Sequence, residues 1–220
     1  MVIKKDKSEI SVTLPNRKNL KIIITGDAAT GKTTTAKILS EKFNIPVFHT
    51  DIFLADKNMN LNSSTYIKEQ VEKIIENNPS YIIDGTMLGG DMEFFDKLIN
   101  QANLIINFDF PMRFVVDSWF KRAEDVEAGK HRPQGMPDMV ESYLNPKAMK
   151  VFFTSSASFI DEKKKREEHY KKAAHKVHTI RSHEEIDKFL ERLNNDSLIN
   201  AKKKRLALPK GIQKGKSGLA

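Results

Sequence analysis

Eight consecutive residues, Gly26-Asp27-Ala28-Ala29-Thr30-Gly31-Lys32-Thr33, meet the pattern G-x-x-x-x-G-K-[ST] at each of its fixed positions. That pattern carries a mechanism only when a strand precedes it and a helix follows. Leu20 to Thr25 reads as a short buried strand, and Thr34 to Phe43 reads as a helix with Ala36, Leu39 and Phe43 on one face. In this setting the backbone N–H groups of the loop point inward around a phosphate, and the helix N-terminus adds partial positive charge. Gly26, Asp27, Ala28, Ala29, Thr30, Gly31, Lys32, Thr33 and Thr34 are therefore the candidate nucleotide-binding residues. Lys32 is expected to reach the β- and γ-phosphates and to face solvent in the empty site. The Thr33 hydroxyl is expected to bind Mg²⁺, and ATP is the expected nucleotide.

Downstream the chain alternates strand-like and helix-like segments. Ile45 to Thr50 is a second strand candidate ending at Asp51, and Ser63 to Asn77 is helical, with Pro79 beyond its stop. Tyr81 to Gly85 forms a third strand and Asp91 to Asn100 a short helix. Leu104 to Phe108 forms a fourth strand, closed by Asp109-Phe110-Pro111. Met112 to Glu127 is a helix that becomes charged, and residues 128–137 are a Gly/Pro-rich loop. Residues 138–175 read as mostly helical with a break near Asn145-Pro146. Lys176 to Ile180 is a fifth strand, and His183 to Leu193 is a closing helix. Repeated β-α-β units of this spacing imply an α/β fold, a doubly wound parallel five-stranded sheet with helices on both faces. Ile10, Val12 and Leu14 alternate with polar residues as a half-buried strand would, outside that sheet.

Composition sets bounds around this frame. The chain has 220 residues, no cysteine and a net charge of +8. Disulfides and thiolate metal sites are excluded, and no apolar run approaches membrane-spanning length. Residues 1–19 lack the apolar stretch of a signal peptide, so a cytoplasmic location is expected. The charge is uneven: residues 198–220 carry +7 and residues 1–21 carry +4, which leaves residues 22–197 at −3. The expected organisation is an N-terminal extension over 1–19, one domain over 20–194, and a basic, disordered tail over 195–220. The tail suits contact with an anionic partner, nucleic acid included, and Lys202–Arg205 within it also suits a localisation signal or mere solubility.

Three further features carry chemistry. Asp51 ends the second strand, and ligands in open α/β sheets sit off the carboxyl ends of strands. A carboxylate there can accept the proton of a substrate hydroxyl or bind Mg²⁺ through water. Asp84-Gly85 ends the third strand, placing a second acidic group near Mg²⁺, with the glycine leaving room for substrate. Lys121, Arg122, Lys130 and Arg132 flank the Gly/Pro-rich loop, which reads as a lid over about residues 120–137 that covers the phosphates and excludes water. Arg122 is its best catalytic candidate. The six histidines show no metal-ligand spacing; His49 reads as an ordinary strand residue, and Asp161 to Glu168 as a solvated helix face with i,i+4 pairs. Trp119 and Phe120 are expected to pack at the base of the lid, and Asp109 receives no role.

Taken in order, Gly26–Thr33, Thr50-Asp51-Ile52-Phe53, Tyr81-Ile82-Ile83-Asp84-Gly85 and Phe108-Asp109-Phe110-Pro111 resemble the P-loop small-molecule kinases, above all the uridine kinases and nicotinamide riboside kinases. The resemblance covers roughly residues 20–190. It implies that Asp51 contacts the acceptor hydroxyl, that Phe53, Asp84 and Gly85 line the substrate site, and that Lys121-Arg122 belongs to a lid. Asp84-Gly85 is also similar to adenylate kinases, but those continue Phe-Pro-Arg where this chain has Thr86-Met87-Leu88. No arginine occurs in residues 52–80 to grip an acceptor phosphate, which favours a neutral hydroxyl acceptor.

The expected activity is ATP-dependent transfer of the γ-phosphoryl group to a hydroxyl of a small nucleoside-like molecule. Lys32, Asp51 and Arg122 are the catalytic candidates, and Thr33 and Asp84 the residues toward Mg²⁺. Two alternatives stand beside it, a kinase of a nucleic-acid hydroxyl and a non-catalytic nucleotide-binding module. The tail separates the first two readings. Deleting residues 198–220 removes +7 of charge and no expected sheet element. Turnover of a small substrate should survive the deletion, while any affinity for nucleic acid should fall and lose most of its salt dependence. Complete loss of small-substrate turnover would place the tail in the active site.

Overall fold

The chain is described by a computed structural model over residues 19–193, apart from residues 57, 59, 86–90, 131–145, 147–148, 151–152 and 155–162. The expected strand at Ile10–Leu14, the tail after Asn194 and the distal half of the lid with Arg132 lie outside the described residues. Two compact units divide it, Met1–Ile186 and Asp187–Ala220. The described part of the second is the end of the last helix, with Phe189 and Leu193 buried.

In the first unit the strands are β1 (Lys21–Gly26), β2 (Val47–His49), β3 (Tyr81–Asp84), β4 (Leu104–Phe108) and β5 (Val177–Ile180). The helices are α1 (Lys32–Phe43), α2 (Ser64–Asn77), α3 (Met92–Gln101), α4 (Met112–Glu127) and α5 (Lys163–Lys172), and α6 begins at residue 183. The five strands form one sheet in the order β2-β3-β1-β4-β5, with every neighbouring pair parallel. The expected α/β architecture is therefore the observed one.

Register shows how the two faces are covered. One rung runs Phe48, Ile83, Ile23, Ile105, Val177 across the sheet. It packs against Ile67 and Val71 of α2, Phe94, Phe95, Leu98 and Ile99 of α3, and Tyr170 of α5. Because side chains alternate along a strand, Ile22, Ile24, Ile82, Leu104 and Ile106 point to the other face, where they are equally buried. There α1 lies along β1, β2 and β3 with Ala36, Leu39 and Phe43 turned inward. Continuous apolar strands are what a sheet covered on both faces demands. Among the described residues no helix is long and apolar enough to cross a membrane.

Two local outcomes differ from expectation. The second strand is shorter than Ile45–Thr50: it stops at His49, and Thr50–Phe53 form a 3₁₀ turn that contains Asp51. Thr50 is drawn out of the strand because its hydroxyl donates to the Asp84 carbonyl at 3.3 Å. Expected next to the phosphate loop, this strand is instead an edge, separated from β1 by β3.

The loop between β1 and α1 is seated on β4. Gly26 has φ +123°, and a Cβ there would stand 2.1 Å from the Phe108 carbonyl oxygen and 2.5 Å from its nitrogen. Both are backbone atoms of a central strand and have no freedom to yield. Gly26→Ala should therefore destabilise the fold by about 3 kcal/mol or more, read as a fall in the urea midpoint. An unchanged midpoint would mean that the loop is not seated on β4 in this way.

Candidate functional site

The loop between β1 and α1 ends at a helix terminus left open. Ser63 caps α2 by accepting the Tyr66 N–H, and Asp91 caps α3 by accepting the Phe94 N–H at 2.9 Å. By contrast, α1 starts after Gly31 with no side-chain cap and no acid in its first turn. Its first N–H groups are thus available to an anion, with the positive end of the helix dipole behind them.

Lys32 does not face solvent as expected; it is 6% exposed. Its Nζ donates to the Asp27 carbonyl at 2.7 Å, folding the side chain back over the loop. Burial lowers the pKa of this ammonium, opposed by the negative charges of Asp51 and Asp84 and reinforced by the positive charge of Arg122. The same relation shows that Asp51, Asp84 and Arg122, separated by up to 71 positions in sequence, lie within electrostatic reach of one amine.

Asp84 is 3% exposed and joins two segments. Its Oδ2 accepts the Thr33 hydroxyl at 2.9 Å and lies 2.9 Å from His49 Nδ1, while its buried Oδ1 has no hydrogen-bond partner among the described residues. A threonine hydroxyl beside one carboxylate with unused acceptor capacity fits Mg²⁺, which keeps several waters and takes one or two carboxylates plus phosphate oxygens. Consistent with so sparse a donor set, no group of three or more His, Cys, Asp or Glu suited to a metal occurs among the described residues.

Gly85 does not keep space for substrate. A Cβ there would stand 2.1 Å from Thr50 Oγ1 and 2.8 Å from Asp51 Oδ1. The missing side chain instead lets the 3₁₀ turn close onto β3 and brings Asp51 beside Asp84. Phe53, expected at the substrate, packs partly buried against the core under α2 and α3. Of the lid cations, Arg122 is half-buried, whereas Lys121 and Lys130 are exposed, and Lys130 pairs with Asp125 at 3.8 Å. Trp119 is buried, with Phe120 and Phe153 rings at 5.2 and 5.8 Å.

Three residues matter that the sequence did not single out. His49 holds Asp84, as above. Asp109 accepts from Lys163 Nζ at 2.5 Å and stands 3.3 Å from Arg181 Nε, joining β4, α5 and the end of β5. Arg166, in the run expected to be a solvated face, is 5% exposed. Helical spacing in that run turns Arg166 and Tyr170 to the sheet, four residues apart, a pair that the surrounding charges hide.

No family model matches the sequence, and no curated protein does. Among solved structures the chain is similar to a shikimate kinase from Bacteroides thetaiotaomicron, at 14% identity and a TM-score of 0.48 over 80% of this chain and 97% of that one. It is similar also to a gluconokinase from Sinorhizobium meliloti 1021, at 12% identity and a TM-score of 0.40 over 69% and 97%. Both likenesses concern the backbone architecture alone.

The His49–Asp84 contact makes stability depend on pH. The hydrogen bond that His49 donates to Asp84 raises the His49 pKa above its ordinary value, with burial opposing. A raised pKa in the folded state contributes stability that is whole below the unfolded value of about 6.5 and is lost as pH rises through the folded value. His49→Ala should therefore cost about 1 kcal/mol at pH 5.5 and distinctly less at pH 9, measured by thermal unfolding. A larger cost at pH 9 would contradict the assignment.

Proposed function

We propose that this chain is an ATP-dependent phosphotransferase that moves the γ-phosphoryl group to a hydroxyl of a small, nucleoside-like acceptor. One observation carries the reading: Lys32, Thr33, Asp51 and Asp84 converge at the carboxyl edge of the sheet beside an uncapped helix N-terminus. Nucleotide binding alone needs the loop and Lys32; a second carboxylate beside the first is what proton transfer adds.

In this reading the loop N–H groups and the start of α1 hold the phosphates. Lys32 leaves the Asp27 carbonyl and places its ammonium on the transferring group, and Arg122 adds a second cation from α4. Thr33 and Asp84 would hold Mg²⁺, which when bound neutralises phosphate charge. His49 fixes the Asp84 carboxylate and so acts as a positioning residue. Asp51 takes the acceptor hydroxyl proton as the new O–P bond forms and the bond from γ-phosphorus to the bridging oxygen breaks, releasing ADP. The negative field of Asp51 and Asp84 opposes the lowering of the Lys32 pKa by burial, so the base and the cation support each other before substrate arrives.

Asp51→Asn keeps the size of the side chain and removes its ability to take a proton. Transfer to the acceptor should fall at least about a hundredfold, with ATP affinity near wild type. Lys32→Ala should lower turnover about a hundredfold or more. The assay is labelled ATP against a panel of nucleosides, nicotinamide riboside and oligonucleotides. Unchanged transfer in Asp51→Asn would remove it as the base, and stimulation by oligonucleotides alone would select the nucleic-acid reading.

A further inference from the structure

In a loop that binds phosphate, a carboxylate opposes the anion it stands beside. An acid nonetheless follows Gly26 in this chain. Its side chain turns to the segment after β4, where Asp27 Oδ2 accepts the Phe110 N–H at 3.0 Å. Phe110 is a firm attachment. Its buried ring stacks on Phe108 of β4 at 6.1 Å and meets Phe114 of α4 at 5.0 Å and His183, at the start of α6, at 5.5 Å. Without the carboxylate, the Phe110 N–H would be left unpaired in a buried setting, at the full desolvation cost of a donor.

The main chain of Asp27 makes the other contacts. Its N–H donates to the Phe108 carbonyl at 2.9 Å, and its carbonyl accepts both Lys32 Nζ and the Thr30 hydroxyl, each at 2.7 Å. With the N–H bond alone the residue could pivot on β4. A second bond, from the side chain to Phe110, removes that pivot and aims the carbonyl at Lys32.

We propose that Asp27 is a positioning residue for phosphoryl transfer: the bond its carboxylate accepts from Phe110 fixes the Asp27 carbonyl, which holds the Lys32 ammonium over the loop before nucleotide arrives. The effect on transfer rests on the kinase reading above; the seat of Lys32 does not. A cation already gathered at the site acts on rate, because it need not be ordered when charge develops on the transferring group. Acceptor capacity is the working feature of this side chain, and asparagine keeps an acceptor oxygen while dropping the charge.

The test compares Asp27→Ala with Asp27→Asn in the full-length chain. Exchange of the Phe110 amide proton and of the Lys32 ammonium protons with water, followed by NMR on the ¹⁵N-labelled chain, should be faster by about tenfold or more in Asp27→Ala. Both should return toward wild type in Asp27→Asn. With labelled ATP and the acceptor panel above, Asp27→Ala should lower kcat about tenfold or more while KM for ATP changes about threefold or less. Asp27→Asn should recover most of that loss. The proposal is overturned if Asp27→Ala keeps the wild-type kcat, or if Asp27→Asn loses as much as Asp27→Ala, which would make the charge the working feature. Should Asp27→Ala not fold, Asp27→Asn decides, and fast Phe110 exchange or a tenfold loss of kcat in it counts against the proposal. A wild-type chain that phosphorylates no acceptor sinks the kinase reading alone, since the exchange measurements still judge the seat of Lys32.

Discussion

A buried ammonium organises this molecule. Lys32 sits at the start of α1 with almost no exposure, and an isolated charge so placed would neutralise itself. Two kinds of partner oppose that: a direct hydrogen bond to the Asp27 carbonyl, and the fields of Asp51 and Asp84. Each partner comes from a different strand end. The sheet order β2-β3-β1-β4-β5 brings those ends together, since β3, carrying Asp84, is the direct neighbour of β1, and β2 delivers Asp51 from one strand further out.

The loop is held as firmly from the other side. Gly26 presses on the Phe108 backbone, the Asp27 N–H donates to the Phe108 carbonyl at 2.9 Å, and the Asp27 carboxylate accepts the Phe110 N–H. Every polar group of Asp27 thereby has a task, since its carbonyl also receives Lys32 and the Thr30 hydroxyl. A position that the loop pattern leaves open is, in this chain, the staple between the loop and β4. One residue thereby ties the segment after β4, from which α4 and Arg122 follow, to the Lys32 anchor.

The architecture was legible because its signals are local. Buried parallel strands read as unbroken apolar runs, Ser63 and Asp91 mark helix starts, and the loop pattern is contiguous. Lys32, Thr33, Asp51, Asp84 and Arg122 were found as strand-end or loop residues of suitable chemistry, and the structure gathers them. Less legible was everything set by tertiary contact. The Thr50 turn depends on a hydroxyl meeting a carbonyl 34 residues away. Gly85 reads as room for substrate until the neighbouring strand is known to fill it, and the exposure of Lys32 cannot be read from a residue type that is normally solvated.

Charge runs hide most. Lys163 to Glu168 is dense in both signs, which locally describes a solvated helix. Its role depends on what the helix faces. With α5 against α3 and the sheet, Tyr170 and Ala173 enter the core, and the same face carries Arg166 inward one turn earlier, above the ends of β4 and β5. Lys163, one turn before that, then meets Asp109, which leaves β4 at the level of the loop between β1 and α1. A helix whose charges follow one another in sequence therefore divides them by height, structural packing at the base and cations beside the loop at the top. Parallel sheets favour such a division, because all strand carboxyl ends lie on one edge and a covering helix can hold apolar residues at one end and charges at the other.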